Sequence, residues 1–371
     1  MSTEPRFSIL LPTHDRADVV GFAIRSVLAQ TEQDFELLVV GDGCTDGTAA
    51  VVLGFDDRRI RWFDLPKAPF FGYANRNVAM REARGGLVAF AAHDDLLLPD
   101  HLELLGARFA ADDVEWAYSR PLWVADDGLI VPFAVDLRDP VQLGYFLDVA
   151  NSIPASCVVH RRACLDRYGY WPMDVPSAAD WEHWKLIIRP SGGANIAYVP
   201  EVTTLHFRAS WRDPTRWGPV PLHRWLEVAA DERRWPSSLR ADLSPGESPQ
   251  ASILRSIEED PPGWSRTVRD SVSAASDLLA WTQAFELDAI GQLLAQERAE
   301  RERWRQDSDA SSHRAEASAR AAEAFARAAD LAAADAASAR AELKSVLAST
   351  SWRVTAPLRR ARPLLRRLVA R

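Results

Sequence analysis

The 371-residue sequence is poor in cysteine and has no long apolar run. Its three cysteines, Cys44, Cys157 and Cys164, are odd in number and lack the spacing of a zinc site, which argues against a disulfide framework and favours a reducing compartment. No stretch approaches the 18 or so apolar residues that a membrane-spanning helix requires, and the N-terminal segment lacks the apolar region of a secretory signal. A cytoplasmic protein is therefore expected.

The sequence also lacks an excess of positive charge. The net charge is -8, which argues against a nucleic-acid partner because such proteins carry a basic footprint. Apolar and charged contents of 47% and 26% are those of a soluble globular protein. One exception is the C-terminus, where Trp352 to Arg371 contains seven arginines and no acid.

Strand-like and helix-like runs alternate along the first 120 residues. The strand-like runs are Phe7–Leu11, Phe35–Val40, Ile60–Leu65 and Leu87–Ala92, and the helix-like runs are Asp18–Ala29, Thr45–Val52 and Tyr73–Arg84. This alternation predicts an α/β fold with a single, mainly parallel, Rossmann-like sheet. Ligands of such sheets bind beyond the carboxyl ends of the strands.

Composition divides the chain into four parts. We expect a catalytic-type α/β domain over residues 1–235 and a linker rich in Ser, Pro and acids over 236–265. A helical extension follows over 266–348, then a basic amphipathic tail over 349–371. For the extension, a self-associating coiled coil and a solvated single helix remain open alternatives.

Polar residues stand at the ends of three predicted strands. His14, after the first strand, could stack on a base, although a loop with a capping Asp is the better explanation of this segment taken alone. Asp42, after the second, can accept a hydrogen bond from N3–H of a pyrimidine, and no GxxxxGK[ST] phosphate loop is present there. Asp94 and Asp95 follow the fourth strand, where two adjacent carboxylates suit Mg²⁺ or Mn²⁺ bridging a diphosphate; a helix cap is the alternative. Together these strand ends predict one nucleotide-diphosphate site.

Four ordered motifs carry a resemblance to a known family. They are PTHDR, VVGDGCTDGT, GYANRNVAMREARGG and AFAAHDDLLLPDHL. In this order and spacing they resemble the nucleotide-binding half of inverting family 2 glycosyltransferases, which have the A-type glycosyltransferase fold, and the resemblance extends over about residues 6–210.

The resemblance implies roles for individual residues. Pro12 and His14 would flank the base and Asp42 would bind it, while Asp94 and Asp95 would form the carboxylate motif, with Asp95 the more direct metal ligand. Arg76 matches a segment near the diphosphate-sugar, and a helix-surface arginine is the alternative.

The second half of the site resembles the family less closely. Asp180 corresponds to the general base that deprotonates the acceptor hydroxyl, but Ala179 stands where Glu is usual. Glu182 is the alternative base, and Asp180 could instead cap a helix. His206 fits a metal-completing histidine, with an ordinary hydrogen-bonded histidine as the alternative.

The resemblance implies a metal-dependent inverting transfer from a nucleotide-diphosphate sugar to a glycan or lipid-linked acceptor, as in the synthesis of bacterial surface polysaccharides or glycoconjugates. A non-catalytic, glycosyltransferase-like assembly subunit is the alternative, which Ala179 favours. The basic tail has the composition of a peripheral anchor for anionic membrane at the inner face, or of a segment that docks on an acidic protein surface. Neither the base, the sugar nor the acceptor follows from the sequence.

Overall fold

A computed structural model of the chain describes residues 4–207, 222–308, 323–331 and 333. Its strands are β1 (Phe7–Thr13), β2 (Phe35–Asp42), β3 (Ile60–Leu65), β4 (Leu87–Phe90), β5 (Leu96–Leu97), β6 (Trp116–Val124), β7 (Ile130–Pro132), β8 (Val158–Arg161) and β9 (Ile196–Phe207). Its helices are α1 (Val20–Leu28), α2 (Thr48–Leu53), α3 (Tyr73–Arg81), α4 (His101–Ala107), α5 (Pro140–Asp148), α6 (Ala163–Tyr168), α7 (Ala179–Ile188), α8 (Leu222–Ala229), α9 (Pro249–Glu259) and α10 (Pro261–Ser308).

One sheet runs through the first compact unit, with strand order β3-β2-β1-β4-β8-β6-β9-β5 and β7 paired to β6. Strands β3, β2, β1 and β4 are parallel, and helices connect them. The remaining strands add one parallel pair, β6 with β9, and four antiparallel pairs. The predicted α/β sheet and the C-terminal helix are confirmed.

Strands β1, β2 and β4 are largely apolar on both faces, whereas the edge strand β3 also carries Arg61 and Asp64. All eight residues of β2 are buried, as a strand covered by helices on both faces requires. Helix α1 presents Val20, Ala23, Ile24 and Val27 to this core, at the 3–4-residue spacing of one helix face. The predicted strand and helix runs in this part are recovered with small shifts at their ends.

The short strand β5 and the long strand β9 close the sheet on its other side. Leu96 pairs with Leu205 and Leu97 with Thr204, while the Leu98 amide donates to the Thr203 carbonyl. Strand β9 is twelve residues long and its register against β6 shifts around Arg120. This pairing returns the chain to the segment that follows β4.

The first compact unit comprises residues 1–209 and 221–277 and therefore includes α8, α9 and the start of α10. Trp235 Nε1 donates to the Ile130 carbonyl, and Ser238 and Ser271 hydroxyls lie 2.6 Å apart. The segment 236–265, expected from its composition to be a linker, contains α9, whose Ile253, Leu254 and Ile257 are buried. The boundaries of the four predicted parts remain predictions.

The second compact unit comprises residues 210–220 and 278–371. Its described part is helical, and Trp281 and Phe285 are about half-exposed with ring centroids 4.3 Å apart. Among the described residues, no helix has both the length and the hydropathy needed to cross a membrane. The predicted tail of 349–371 lies outside the described residues.

Candidate functional site

The ends of the first, second and fourth strands lie side by side, as the sequence predicted. Thr13 pairs with Gly41, and the Ala91 amide donates to the Leu10 carbonyl. The residues that follow β1, β2 and β4 therefore share one edge of the sheet. Three of the predicted site residues, His14, Asp42 and Asp94, lie along this edge.

Two loops at this edge hold each other through reciprocal hydrogen bonds. Asp15, at φ 47°, accepts from the Thr45 amide at 2.7 Å, and Asp46 accepts from the Ala17 amide at 3.0 Å. The Arg16 amide donates to the Thr48 hydroxyl at 2.8 Å. These acids of the PTHDR and DGCTDGT segments are scaffold residues, a role that the sequence analysis missed. Their position on two loops that end neighbouring strands was the available signal.

Asp42 is almost buried and is held by three donors. Lys67 Nζ lies 2.5 Å from Oδ2, while the Ala68 amide and Asn75 Nδ2 donate to Oδ1 at 2.8 and 2.7 Å. A carboxylate has about four acceptor positions, so one remains for a ligand. Lys67 lies in the segment that joins β3 to α3, and Asn75 lies in the first turn of α3; neither contact with Asp42 was predicted from the sequence.

Gly72 shapes the same site. It has φ +73°, and a Cβ atom there would lie 2.6 Å from the Asp42 carboxylate. Both the backbone conformation and the close approach therefore require glycine. Gly72 also precedes α3, which brings Asn75 and Arg76 to the strand ends.

Arg76 lies between two aromatic rings. Its guanidinium carbon is 5.5 Å from the ring centroids of both Tyr73 and Trp171. Burial lowers the pKa of the guanidinium, and the carboxylates of Asp180 and Asp42 oppose that shift through charge attraction. Its buried Nε finds no hydrogen-bond partner among the residues that the structure describes. Arg76 is half-buried against these rings, and its role near the diphosphate-sugar remains a prediction.

Asp94 and Asp95, though adjacent, have different surroundings. The Asp94 side chain is 18% exposed, with His93 Nε2 3.9 Å from it. The Asp95 side chain is 1% exposed and accepts from the Ser156 hydroxyl at 2.6 Å and from the Phe207 amide at 3.2 Å. Asp95 therefore ties the segment after β4 to the end of β9.

His206 contacts Asp95 directly. Its Nδ1 lies 2.9 Å from Oδ1 and 3.0 Å from Oδ2, and its ring packs edge-on against Trp123. Two carboxylates and an imidazole have the donor chemistry of a Mg²⁺ or Mn²⁺ site. Asp94 is accessible to such an ion, whereas Asp95 would exchange its His206 hydrogen bond for the ion.

Asp180 is in the first turn of α7, and Glu182 follows in the same turn. The two acids differ in partners: Glu182 is paired with Lys185 Nζ at 2.7 Å, whereas Asp180 acts electrostatically on Arg76. Asp180 also accepts from the Trp181 amide at 2.9 Å. Ala179 is fully buried.

A further group of metal-type ligands lies at the edge of the site. His14, Asp15 and Cys44 each place a ligand atom within 4.8 Å of the others. Burial raises the pKa of the Cys44 thiol, which disfavours the thiolate that a metal needs. Asp15 already accepts the Thr45 amide. Among the described residues this is the group whose ligand atoms lie that close together, and an ion at Asp94 and Asp95 remains a prediction.

Pro12 contacts another residue at this edge of the sheet, whereas the side chain of His14 is exposed there. The Pro12 carbonyl lies 3.1 Å from His93 Nδ1, which links the ends of β1 and β4. His14 is 43% exposed at its side chain, open to a flat ligand. The roles assigned to both residues remain predictions.

Comparison with known sequences gives a family match and several relatives. The family described as "Glycosyl transferase family 2" matches residues 8–129. An uncharacterised protein of Mycobacterium tuberculosis is 33% identical over 234 residues, which are 57% of this chain and 70% of that protein. An Escherichia coli UDP-Glc:alpha-D-GlcNAc-diphosphoundecaprenol beta-1,3-glucosyltransferase is 29% identical over 185 residues, 49% of this chain and 69% of that protein. A Campylobacter jejuni GalNAc(5)-diNAcBac-PP-undecaprenol beta-1,3-glucosyltransferase is 34% identical over 103 residues, 27% of this chain and 33% of that protein.

Solved structures give weaker similarities. Staphylococcus aureus TarS aligns with a TM-score of 0.46 and 18% identity, over 64% of this chain and 40% of that chain. A mannosyltransferase from Pyrobaculum calidifontis in complex with GDP-Man and Mn²⁺ aligns with a TM-score of 0.43 and 20% identity, over 79% and 81%. Values this low do not bear on the donor or the ion of the present chain.

Proposed function

The chain belongs to glycosyltransferase family 2, and from this premise we propose that it transfers a sugar from a nucleotide-diphosphate donor to an acceptor hydroxyl with inversion at the anomeric carbon. The observation that carries the proposal is the convergence of three groups. Arg76 is half-buried against two rings and interacts electrostatically with Asp42, at the end of β2, and Asp180, on α7. The residues proposed as base-binding acid, phosphate-binding cation and catalytic base are thus within electrostatic range of one another.

The nucleotide would lie across the ends of β1 and β2. Asp42 retains one acceptor position for an N–H of the base, and His14 offers an exposed ring beside it. The Arg76 guanidinium would donate to a phosphate oxygen, because charge-assisted bonds of this kind are strong and directional.

Asp180 would take the proton of the acceptor hydroxyl. We assign this role to Asp180 rather than to Glu182 because Asp180 interacts electrostatically with Arg76, which would bind the diphosphate. An inverting transfer needs one base on the face opposite the diphosphate, and the transition state at the sugar would be oxocarbenium-like.

Asp94 and Asp95, with His206 beside them, would hold a Mg²⁺ or Mn²⁺ ion. Bound there, the ion supplies charge neutralisation for the departing diphosphate. For the protein, the cost is the Asp95–His206 hydrogen bond, which keeps both side chains in place beforehand. Asp95 and His206 would thus form a hydrogen-bonded pair before the ion binds and serve as ligands of the ion afterwards.

We also propose a lipid-linked acceptor in bacterial surface polysaccharide or glycoconjugate synthesis. The names of the E. coli and C. jejuni relatives include undecaprenol-linked acceptors, which supports this setting. The arginine-rich tail of 349–371 would bring the enzyme to anionic membrane at its inner face. Equal co-sedimentation with anionic liposomes by the full chain and by a chain ending at residue 348 would contradict that role.

The decisive experiment compares Asp180→Asn with Glu182→Gln. Donors are first screened with Mn²⁺ by thermal shift, since a bound ligand raises the melting temperature. Transfer by Asp180→Asn should then fall by about 100-fold or more, while nucleotide affinity changes only a few-fold. Glu182→Gln should retain most activity.

Two other results would change the conclusion. If only Glu182→Gln abolishes transfer, Glu182 is the base. If the wild-type chain binds nucleotide but transfers no sugar to any lipid-linked acceptor, the chain is a non-catalytic assembly subunit. Self-association through the helical extension, which that alternative needs, would be measured on the full chain by analytical ultracentrifugation.

A further inference from the structure

An arginine of the C-terminal extension binds the segment that carries the aspartate pair. Arg269, near the start of α10, donates to both carboxylate oxygens of Asp100, at 2.6 and 2.8 Å. The same guanidinium donates to the Val202 carbonyl through Nε and Nη2, at 3.2 and 3.0 Å. Both side chains of the ion pair are about a quarter exposed.

Asp100 and Val202 lie at one end of a pair of antiparallel strands. From Asp95 to Asp100 the chain runs against β9, with Leu96 opposite Leu205, Leu97 opposite Thr204, and Leu98 bonded to Thr203. At the other end of this pair, Asp95 bonds His206 and the Phe207 amide. Arg269 therefore joins the two strands at one end, and the candidate metal-binding residues join them at the other.

The relative position of Asp95 and His206 depends on how these strands are aligned. Each side chain comes from a different strand, and β5 contributes only two residues of ladder pairing. In a sheet, a shift of one residue moves a side chain to the opposite face. A planar guanidinium that binds a carboxylate with two bonds and a carbonyl of the opposite strand restrains that shift.

We propose that Arg269 is a positioning residue for the site: by joining Asp100 to the Val202 carbonyl it aligns Asp95 with His206. The proposal rests on the proposed function for its catalytic consequence. Its structural part concerns the residues of this chain alone. It makes the first turns of α10 a component of the candidate active site, although Arg269 touches no substrate.

The first test observes His206 without any ligand. The full chain is labelled with ¹⁵N-histidine, and the His206 ring signals are assigned among the eight histidines with His206→Gln. Arg269→Met should shift the Nδ1 signal of His206, and Arg269→Lys should shift it less, because lysine keeps the charge without the planar fork. Arg266→Met, an exposed arginine nearby on α10, is the matched control and should leave the signal unchanged.

The second test separates positioning from stability. Arg269→Met should raise the donor KM by about 10-fold, a change of the size expected when one charge-assisted contact is lost. The acceptor KM should stay unchanged. Asp100→Asn should reproduce the effect, and the double variant should add nothing, because the two residues act as a unit.

The outcomes distinguish this inference from the proposed function. An unmoved His206 signal in Arg269→Met, with a lowered melting temperature alone, would reduce Arg269 to an anchor for α10 and overturn the inference. A shifted signal in a protein without transferase activity would sustain the alignment role and refute the proposed function. If Arg269→Met does not fold, Arg269→Lys and Asp100→Asn provide the same signal and the same KM comparison.

Discussion

The two acidic centres of the candidate site are built in opposite ways. The partners of Asp42 lie 25, 26 and 33 residues away in sequence, in the segment that follows β3. The partners of Asp95 lie 61, 111 and 112 residues away, on the segment before β8 and on β9. The half of the site that carries Asp42 is thus a local structure, whereas the half that holds the aspartate pair requires the whole fold.

This difference has a physical consequence. Ordering a long loop costs more entropy than ordering a short one, so distant contacts need the rest of the fold to hold them in place. A change that loosens β8, β9 or α7 should therefore disturb Asp95 before it disturbs Asp42.

Acid should most strongly destabilise the half of the site that holds the aspartate pair. Burial lowers the pKa of His101 and His160 to about 4 and that of His183 to about 3, from an ordinary value of 6.5. Between the folded-state pKa values and 6.5, the unfolded chain binds more protons than the folded chain. The free energy of unfolding that is present above pH 6.5 is therefore lost as pH falls toward 4. From pH 6.5 to pH 5 each imidazole contributes up to about 2 kcal/mol to this loss. Urea unfolding at pH 7 and pH 5 measures it.

His183 allows a controlled version of this experiment. Both of its ring nitrogens are buried, and neither finds a hydrogen-bond partner among the described residues. His183→Leu should therefore reduce the pH dependence, whereas replacement of the exposed His14 by Gln should not change it. Equal pH dependence in all three proteins would contradict the assignment of acid sensitivity to the buried histidines.

The aspartate pair offers the next largest effect. Asp95→Asn should lower transfer by about 100-fold and cost about 2 kcal/mol of stability, because charge-assisted bonds to Ser156 and His206 are weakened. Asp94→Asn should lower transfer while leaving the melting temperature near that of the wild type, since its side chain is partly exposed. Calorimetry and a transfer assay on both variants test the contrast; equal loss of melting temperature would contradict it.

The same asymmetry explains what could be predicted from the sequence. The parallel strands and their helices were predicted because apolar runs, glycines and turn residues follow one another locally, and Asp42, Asp94 and Asp95 emerged as strand-end acids. The pairing of β5 with β9, the ion pair from Arg269 to Asp100 and the Ser156 contact to Asp95 were not predicted. No periodicity or spacing encodes a contact between residues that are 60 to 170 positions apart.

Replacement of Gly72 tests the local half. Gly72→Ala would place an alanine at a strained φ of +73° and press its Cβ against the Asp42 carboxylate. We therefore expect a loss of about 2 kcal/mol in the free energy of unfolding and weaker nucleotide binding. Gly246→Ala is the matched control: it has φ +80° but nothing within 4 Å of the added carbon. Unaltered nucleotide affinity in Gly72→Ala, measured by titration calorimetry, would show that Asp42 does not bind the base.

Two asparagines on α3 give the finest comparison. Asn75 bonds Asp42 and the Pro66 carbonyl, both within 33 residues, whereas Asn77 bonds the backbone of Trp171 at 2.8 and 3.2 Å, 94 residues away. Asn75→Ala should mainly weaken nucleotide binding, and Asn77→Ala should mainly lower the melting temperature, each by about 1 kcal/mol, because each leaves buried polar groups unpaired. The same chemical change, two residues apart on one helix, would then weaken nucleotide binding in one case. In the other it would lower the melting temperature by removing a contact between residues distant in sequence. If Asn77→Ala weakens nucleotide binding as much as Asn75→Ala does, Trp171 and Arg76 couple the halves more tightly than their separation in sequence indicates.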